Sequence, residues 1–109
     1  MSTAASRGVL ITVQNAATTG NGLALAIPSM IKKHTFYIEG SAGVTAGAVQ
    51  VEASNDPDYT GTWDAQGPPV LVTASTQDTV GCDGVSLALR ARISTPIVGG
   101  TVTVTYFGA

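Results

Sequence analysis

Seven runs of this chain place aliphatic residues at every second position, and no run repeats them at a helical spacing over a useful window. Neighbouring side chains of a strand point to opposite faces, so a pattern of period two buries one face and leaves the other bare. VSLALRARIS shows it most cleanly. Val85, Leu87, Leu89, Ala91 and Ile93 face inward, with Ser86, Arg90 and Arg92 outward. TVTVTYF sets Val102, Val104 and Tyr106 against Thr101, Thr103, Thr105 and Phe107. KKHTFYIEG sets His34, Phe36 and Ile38 against Lys33, Thr35, Tyr37 and Glu39. In RGVLITVQN, Val9, Ile11 and Val13 oppose Leu10, Thr12 and Gln14. AVQVEA turns Val49, Val51 and Ala53 inward and Gln50 and Glu52 outward. GLALAI groups Leu23, Leu25 and Ile27 before Pro28 ends or kinks the strand, and PVLVTA groups Val70, Val72 and Ala74. These are seven strands, or eight if Trp63 lies on a short one.

The breaks between them, TTGNG, EGSAG, SNDPDYTG, QDTVGCDG and STPIVGG, all contain Gly, and all but EGSAG carry Asn, Asp or Pro, which is turn chemistry. Short strands at spacings of about 8–12 residues predict an all-β chain, a single antiparallel β-sandwich or jelly roll of about 7–8 strands. The expected organisation is a flexible arm over residues 1–6 and one β domain over 7–109; the arm could also cross to a neighbouring subunit. With 109 residues and 11.0 kDa, the folded area expected from size is roughly 5,600 Å², about a third of that of the unfolded chain. A core without staples is therefore feasible.

Composition narrows the partners. Hydrophobic residues make up 44% and charged residues only 11%, with a net charge of -2. Globular domains usually carry about 25% charged residues. The surface must then be built of Thr, Ser, Gly, Asn and Ala, and such a surface costs little to dehydrate against another protein. Arg7, Lys32, Lys33, Arg90 and Arg92 are the fixed cations, too few and too scattered for a phosphate backbone, so no nucleic acid is expected. No stretch approaches the ~18 apolar residues of a membrane span. VLITV is shorter than the ~7 residues that a signal h-region needs, so folding in a cytoplasm is expected. The single cysteine, Cys82, excludes an internal disulfide.

Residues 54–67, SNDPDYTGTWDAQG, concentrate the special chemistry. Asp56, Asp58, Thr60 and Asp64 follow the first half of a calcium loop, but Gly67 stands where the bidentate Glu belongs. Tyr59 and Trp63 could offer stacking faces to a sugar or to a protein partner. Equally, Asn55 and Asp56 can cap a turn while Trp63 folds back as a plug over the sandwich edge.

No nucleophile has a base beside it in sequence. His34 alternates with Phe36 and Ile38, the pattern of a hydrogen-bonded core or edge histidine. Cys82 lies in VGCDG with no basic neighbour to lower its pKa. One His and one Cys cannot hold zinc, and the spacing of Glu39, Glu52 and the five aspartates marks no acid pair. No enzyme activity and no cofactor are expected. Arg90 and Arg92 point the same way on one strand; they could protect a sheet edge, pair with Glu39 or Glu52, or grip carboxylates of another subunit.

Several short motifs carry a resemblance. They are V-x-x-S-N-D at Val51–Asp56 with Trp63, R-A-R-I at Arg90–Ile93, the turn Gly99–Gly100, and the Thr/Val strand Thr101–Tyr106. Across residues 36–109 the chain resembles small β-sandwich structural proteins of tailed bacteriophages, of the capsid decoration or cement type. That resemblance implies a virion protein on the outer capsid surface, assembled in the host cytoplasm. It would be a homodimer or homotrimer bound to the major capsid protein, with Arg90, Arg92, Tyr59 and Trp63 as contact residues. Alternatives are a tail or neck component, or a carbohydrate-binding module using Tyr59 and Trp63.

Overall fold

The computed structural model describes residues 9–27, 31–55, 62–83 and 88–109. Among these there is no helix, and two antiparallel sheets account for the fold. The strands are β1 (Val9–Ala17), β2 (Leu25–Ala26), β3 (Lys33–Gly40), β4 (Ala46–Ser54), β5 (Asp64–Ala65), β6 (Val70–Leu71), β7 (Gln77–Asp83), β8 (Ala88–Val98) and β9 (Val102–Gly108). The first sheet runs β1-β9-β3-β7 and the second β2-β8-β4-β5, with β6 also on β4. The molecule is a slab of 42 × 38 × 19 Å with an accessible area of 5902 Å². The expected arm at 1–6, Pro28, Val85, Ser86 and Leu87 lie outside the described residues.

The alternation predicts the core well. Phe36, Ile38, Val102, Val104 and Tyr106 from the first sheet meet Val49, Val51, Leu89, Ala91 and Ile93 from the second, all buried. Each buried Val, Leu, Ile or Phe among them contributes about 1.5–3 kcal/mol by leaving water. The Tyr106 ring lies 5.2 Å from that of Phe36 and stacks on His34 at 5.9 Å. Its hydroxyl is hydrogen-bonded to His34 Nδ1 at 2.8 Å. Gly108 makes this possible: it is the register partner of His34, and a Cβ there would collide with the Tyr106 hydroxyl. The phenol thus runs along its own strand, over a glycine, to the imidazole across the ladder.

Several expectations need correcting, among them STPIVGG, whose residues 94–98 belong to β8, and Ala74, which is exposed. QDTVGCDG is not a turn, because residues 77–83 form β7, paired along their whole length with β3. Gln14 is buried, because the register between β1 and β9 shifts between Thr12 and Gln14 and again before Ala17. Such a bulge lets consecutive residues, here Val13 and Gln14, both turn inward. The Gln14 amide then donates to the carbonyls of Ala91 (2.9 Å) and Gly20 (3.1 Å), tying β1 to the second sheet. Leu23, expected inward, is 51% exposed, since the loop before β2 hydrogen-bonds back to Val13 instead of continuing as a strand. Finally, Gln50 and Glu52 point away from the core yet are buried.

Gln50 fills a gap in the ladder. β5 and β6 occupy one edge of β4, separated by a break at Pro68 and Pro69, which have no N–H to give. The Gln50 amide donates across the break to Gly67 O at 3.0 Å and also to Val51 O.

Tyr106→Phe should leave His34 without this partner and cost about 1–3 kcal/mol. Gly108→Ala should cost as much or more, by pushing the phenol off the imidazole. Thermal unfolding checks both, with an expected fall of several degrees per kcal/mol; an unchanged midpoint in both variants would contradict the packing account.

Candidate functional site

The outward side of the second sheet holds a cluster of charged groups. On adjacent strands Glu52 is the register partner of Arg90, and Gln50 of Arg92, so all four project together. Arg90 Nε donates to Glu52 Oε1 at 2.8 Å and Arg92 Nε to Glu52 Oε2 at 3.2 Å. One carboxylate therefore binds two guanidiniums, and the cluster keeps one net positive charge. Of the two partners the sequence offered, Glu52 is the one used; Glu39 lies on the other sheet.

Trp63 completes the cluster. Ala65 pairs with Glu52, so Trp63, two residues earlier, projects to the same side. The Arg90 guanidinium carbon lies 4.2 Å from the centre of the Trp63 ring, a cation–π contact. This stacking and the two ion pairs explain why the Glu52 side chain is only 8% exposed on a face that points to solvent. The arginines differ: Arg90 is mostly covered, while Arg92 is 36% exposed at its side chain and forms the open rim. Tyr59, Asp56, Asp58 and Thr60 lie outside the described residues. Asp64, the remaining candidate calcium ligand, is exposed on β5, and no group of metal-ligating side chains occurs among the described residues.

The nucleophile-bearing residues lie elsewhere. β3 and β7 set His34 directly opposite Cys82, a pairing that sequence distance concealed. The imidazole is nevertheless engaged with Tyr106. Burial, reinforced by the Asp83 carboxylate, pushes the Cys82 thiol above its ordinary pKa. A thiol raised in this way is a poor nucleophile at neutral pH. Burial also raises the Tyr106 hydroxyl. Cys82 borders a groove of about 650 Å³ between the edges of the two sheets, with Pro68, Pro69, Val70, Leu71 and Asp78 along its sides. The Asp78 carboxylate there accepts the Thr79 N–H at 2.9 Å. The groove thus offers an apolar wall beside a thiol whose pKa is raised, and the imidazole opposite that thiol is hydrogen-bonded to Tyr106.

With this geometry in view, comparison with known proteins is informative in one respect. The chain is similar in fold to YomS, an SPBc2 prophage-derived protein. The likeness has a TM-score of 0.68 at 18% identity, and covers 93% of this chain and 91% of YomS. Two structures of the Tobacco streak virus coat protein, one of them a dimer, align at TM-scores of 0.40 and 0.42 with 14% and 13% identity. They cover 94% and 93% of this chain, and 84% and 83% of their own. Those two scores are too low to carry an argument about fold. No family model and no curated protein matches the sequence.

The cluster and the thiol each make a prediction. Glu52→Gln leaves two guanidiniums without their carboxylate and should cost about 2–3 kcal/mol. Arg90→Ala should destabilise more than Arg92→Ala, because only Arg90 also loses the indole; equal losses would deny Trp63 that role. Cys82 and Tyr106 hold their protons more tightly folded than unfolded. Their contribution is therefore intact below the unfolded thiol's pKa of about 8.5 and falls as pH rises beyond it. Alkylation of the folded thiol should be slow at pH 8 and should accelerate on unfolding; a fast native reaction would contradict the raised pKa.

Proposed function

We propose that the chain is a non-enzymatic structural protein of a bacteriophage virion, and within the virion a decoration or cement protein that binds the assembled head shell as a homo-oligomer. The observation that carries this reading is a thin slab with two broad, charge-poor faces, whose fold is similar over nearly its whole length to a prophage-derived protein. Its nucleophile and histidine are spent on packing. Burial raises the pKa of the thiol at its edge groove. Its exposed surface is largely Thr, Gly and Ala, which dehydrates cheaply.

In this reading the Trp63–Arg90–Glu52–Arg92 face meets the major capsid protein. Arg90 and Trp63 form its rigid base, and Arg92 presents donors to a carboxylate on the shell. The mechanism is mass action. A protein that binds the closed lattice and not free subunits shifts the equilibrium toward the lattice, and contacts to several subunits multiply the effect.

Co-sedimentation with purified shells tests the reading. Retention on shells and not on free capsid subunits is expected, together with a higher shell melting temperature. Arg92→Gln should weaken retention by about tenfold while barely moving the protein's own midpoint, as for a desolvated rim contact. Failure to bind shells, or binding to tails instead, would overturn the decoration role.

A further inference from the structure

The outward face of the first sheet carries a pattern that the proposed shell contact does not use. Leu10, Phe107 and Tyr37 are 71%, 39% and 37% exposed on three adjacent strands. The register arranges the outward residues of the four strands in rows. One row is Leu10, Phe107, Thr35 and Gly81. The next is Thr12, Thr105, Tyr37 and Thr79. At the two ends of β3, the same face carries Lys33 on one side and Glu39 on the other.

These rows are complementary to themselves. Consider a second copy laid face to face, related by a two-fold axis that lies in the interface and crosses β3 midway between Lys33 and Glu39. The operation exchanges the two rows. Leu10 then meets Thr12 of the copy, Phe107 meets Thr105, Tyr37 meets Thr35, and Thr79 meets Gly81. Every bulky side chain falls on a small one, which is what two sheet faces need in order to interdigitate across about 10 Å. The same operation places Lys33 over Glu39 of the copy, twice by symmetry. Shape and the Lys33–Glu39 pairs thus select the same axis, with Asp83, the register partner of Lys33, set against Gln77 of the copy.

We propose that this chain forms an isologous dimer through the outer face of its four-stranded sheet, with Leu10, Tyr37 and Phe107 as knobs and reciprocal Lys33–Glu39 pairs as its rim. The inference rests on the homo-oligomer part of the reading above and is independent of the shell. The four strands together present about 500 Å² on each copy, from their rise and spacing. Two copies bury about 1,000 Å², the size at which a specific interface begins. The dimer is therefore expected to be of modest, micromolar strength, and attachment of each copy to a lattice would reinforce it.

Sedimentation velocity of the purified chain alone, from about 1 to about 500 µM, tests this. A monomer–dimer equilibrium in that range is expected. Phe107→Lys should shift it to monomer at every concentration, with circular dichroism unchanged. Leu71→Ser, exposed on the other sheet, should leave it alone. Lys33→Glu and Glu39→Lys should each weaken the dimer by about tenfold, because like charges then face each other twice. The double variant carrying both changes should restore it, a rescue that a merely structural role could not produce. A monomer throughout, a dimer indifferent to Phe107→Lys, or a double variant no better than the singles would overturn the dimer. Because no shell is present, each of those results leaves the decoration role to its own experiment.

Discussion

The register of β3 between β9 and β7 is the constraint on which the rest of the first sheet depends. A slip of one residue would exchange the two faces of a strand completely. In the observed register His34, Phe36 and Ile38 enter the core, while Lys33, Thr35, Tyr37 and Glu39 remain outside. Tyr106 locks that choice. Its hydroxyl reaches His34 only because Gly108 lies directly opposite the histidine, so even a slip that kept the faces would strip the imidazole of its phenol. The inner face thereby dictates which residues form the outer one.

The division of labour between the two outer faces follows from this. On the second sheet a carboxylate sits under two arginines and a tryptophan, so the polar groups are joined to one another before any partner arrives. Such a preformed arrangement loses little conformational freedom on binding. The first sheet has no comparable cluster among its described residues; it presents isolated apolar knobs between threonines. One face suits a polar, directional contact and the other a self-complementary apolar one. The groups that could support covalent chemistry are engaged within the fold: His34 with Tyr106, Asp78 with the Thr79 amide, and Cys82 protonated by its surroundings.

Much of this was legible in the sequence because alternation is local. The inward sets Phe36/Ile38, Val49/Val51, Leu89/Ala91/Ile93 and Val102/Val104/Tyr106 need no knowledge of the partner strand. The shared direction of Arg90 and Arg92 was legible for the same reason, whereas alternation left His34 as a core or an edge residue and the structure buries it. What escaped depends on the neighbour. A bulge exists only relative to the opposing strand, so nothing within RGVLITVQN marks Gln14 as buried. β7 is glycine-bearing and polar on its outer side, so QDTVGCDG carried turn chemistry and a weak period. Gln50 and Glu52 alternate as outward residues should; their burial comes from Gly67, from Arg90 stacked on Trp63 and from Arg92, which are distant in sequence. The Leu10–Phe107–Tyr37 rows became visible only once three strands were aligned.

The measurement that bears most directly on this account is the set of cross-strand backbone proton contacts along β3 in solution, by NMR. The account predicts close contacts joining Thr35 to Phe107 and Tyr37 to Thr105 on one side, and Thr35 to Gly81 and Tyr37 to Thr79 on the other. Contacts displaced by one residue, such as Thr35 with Tyr106, would turn the core aromatic outward and contradict the account at its base.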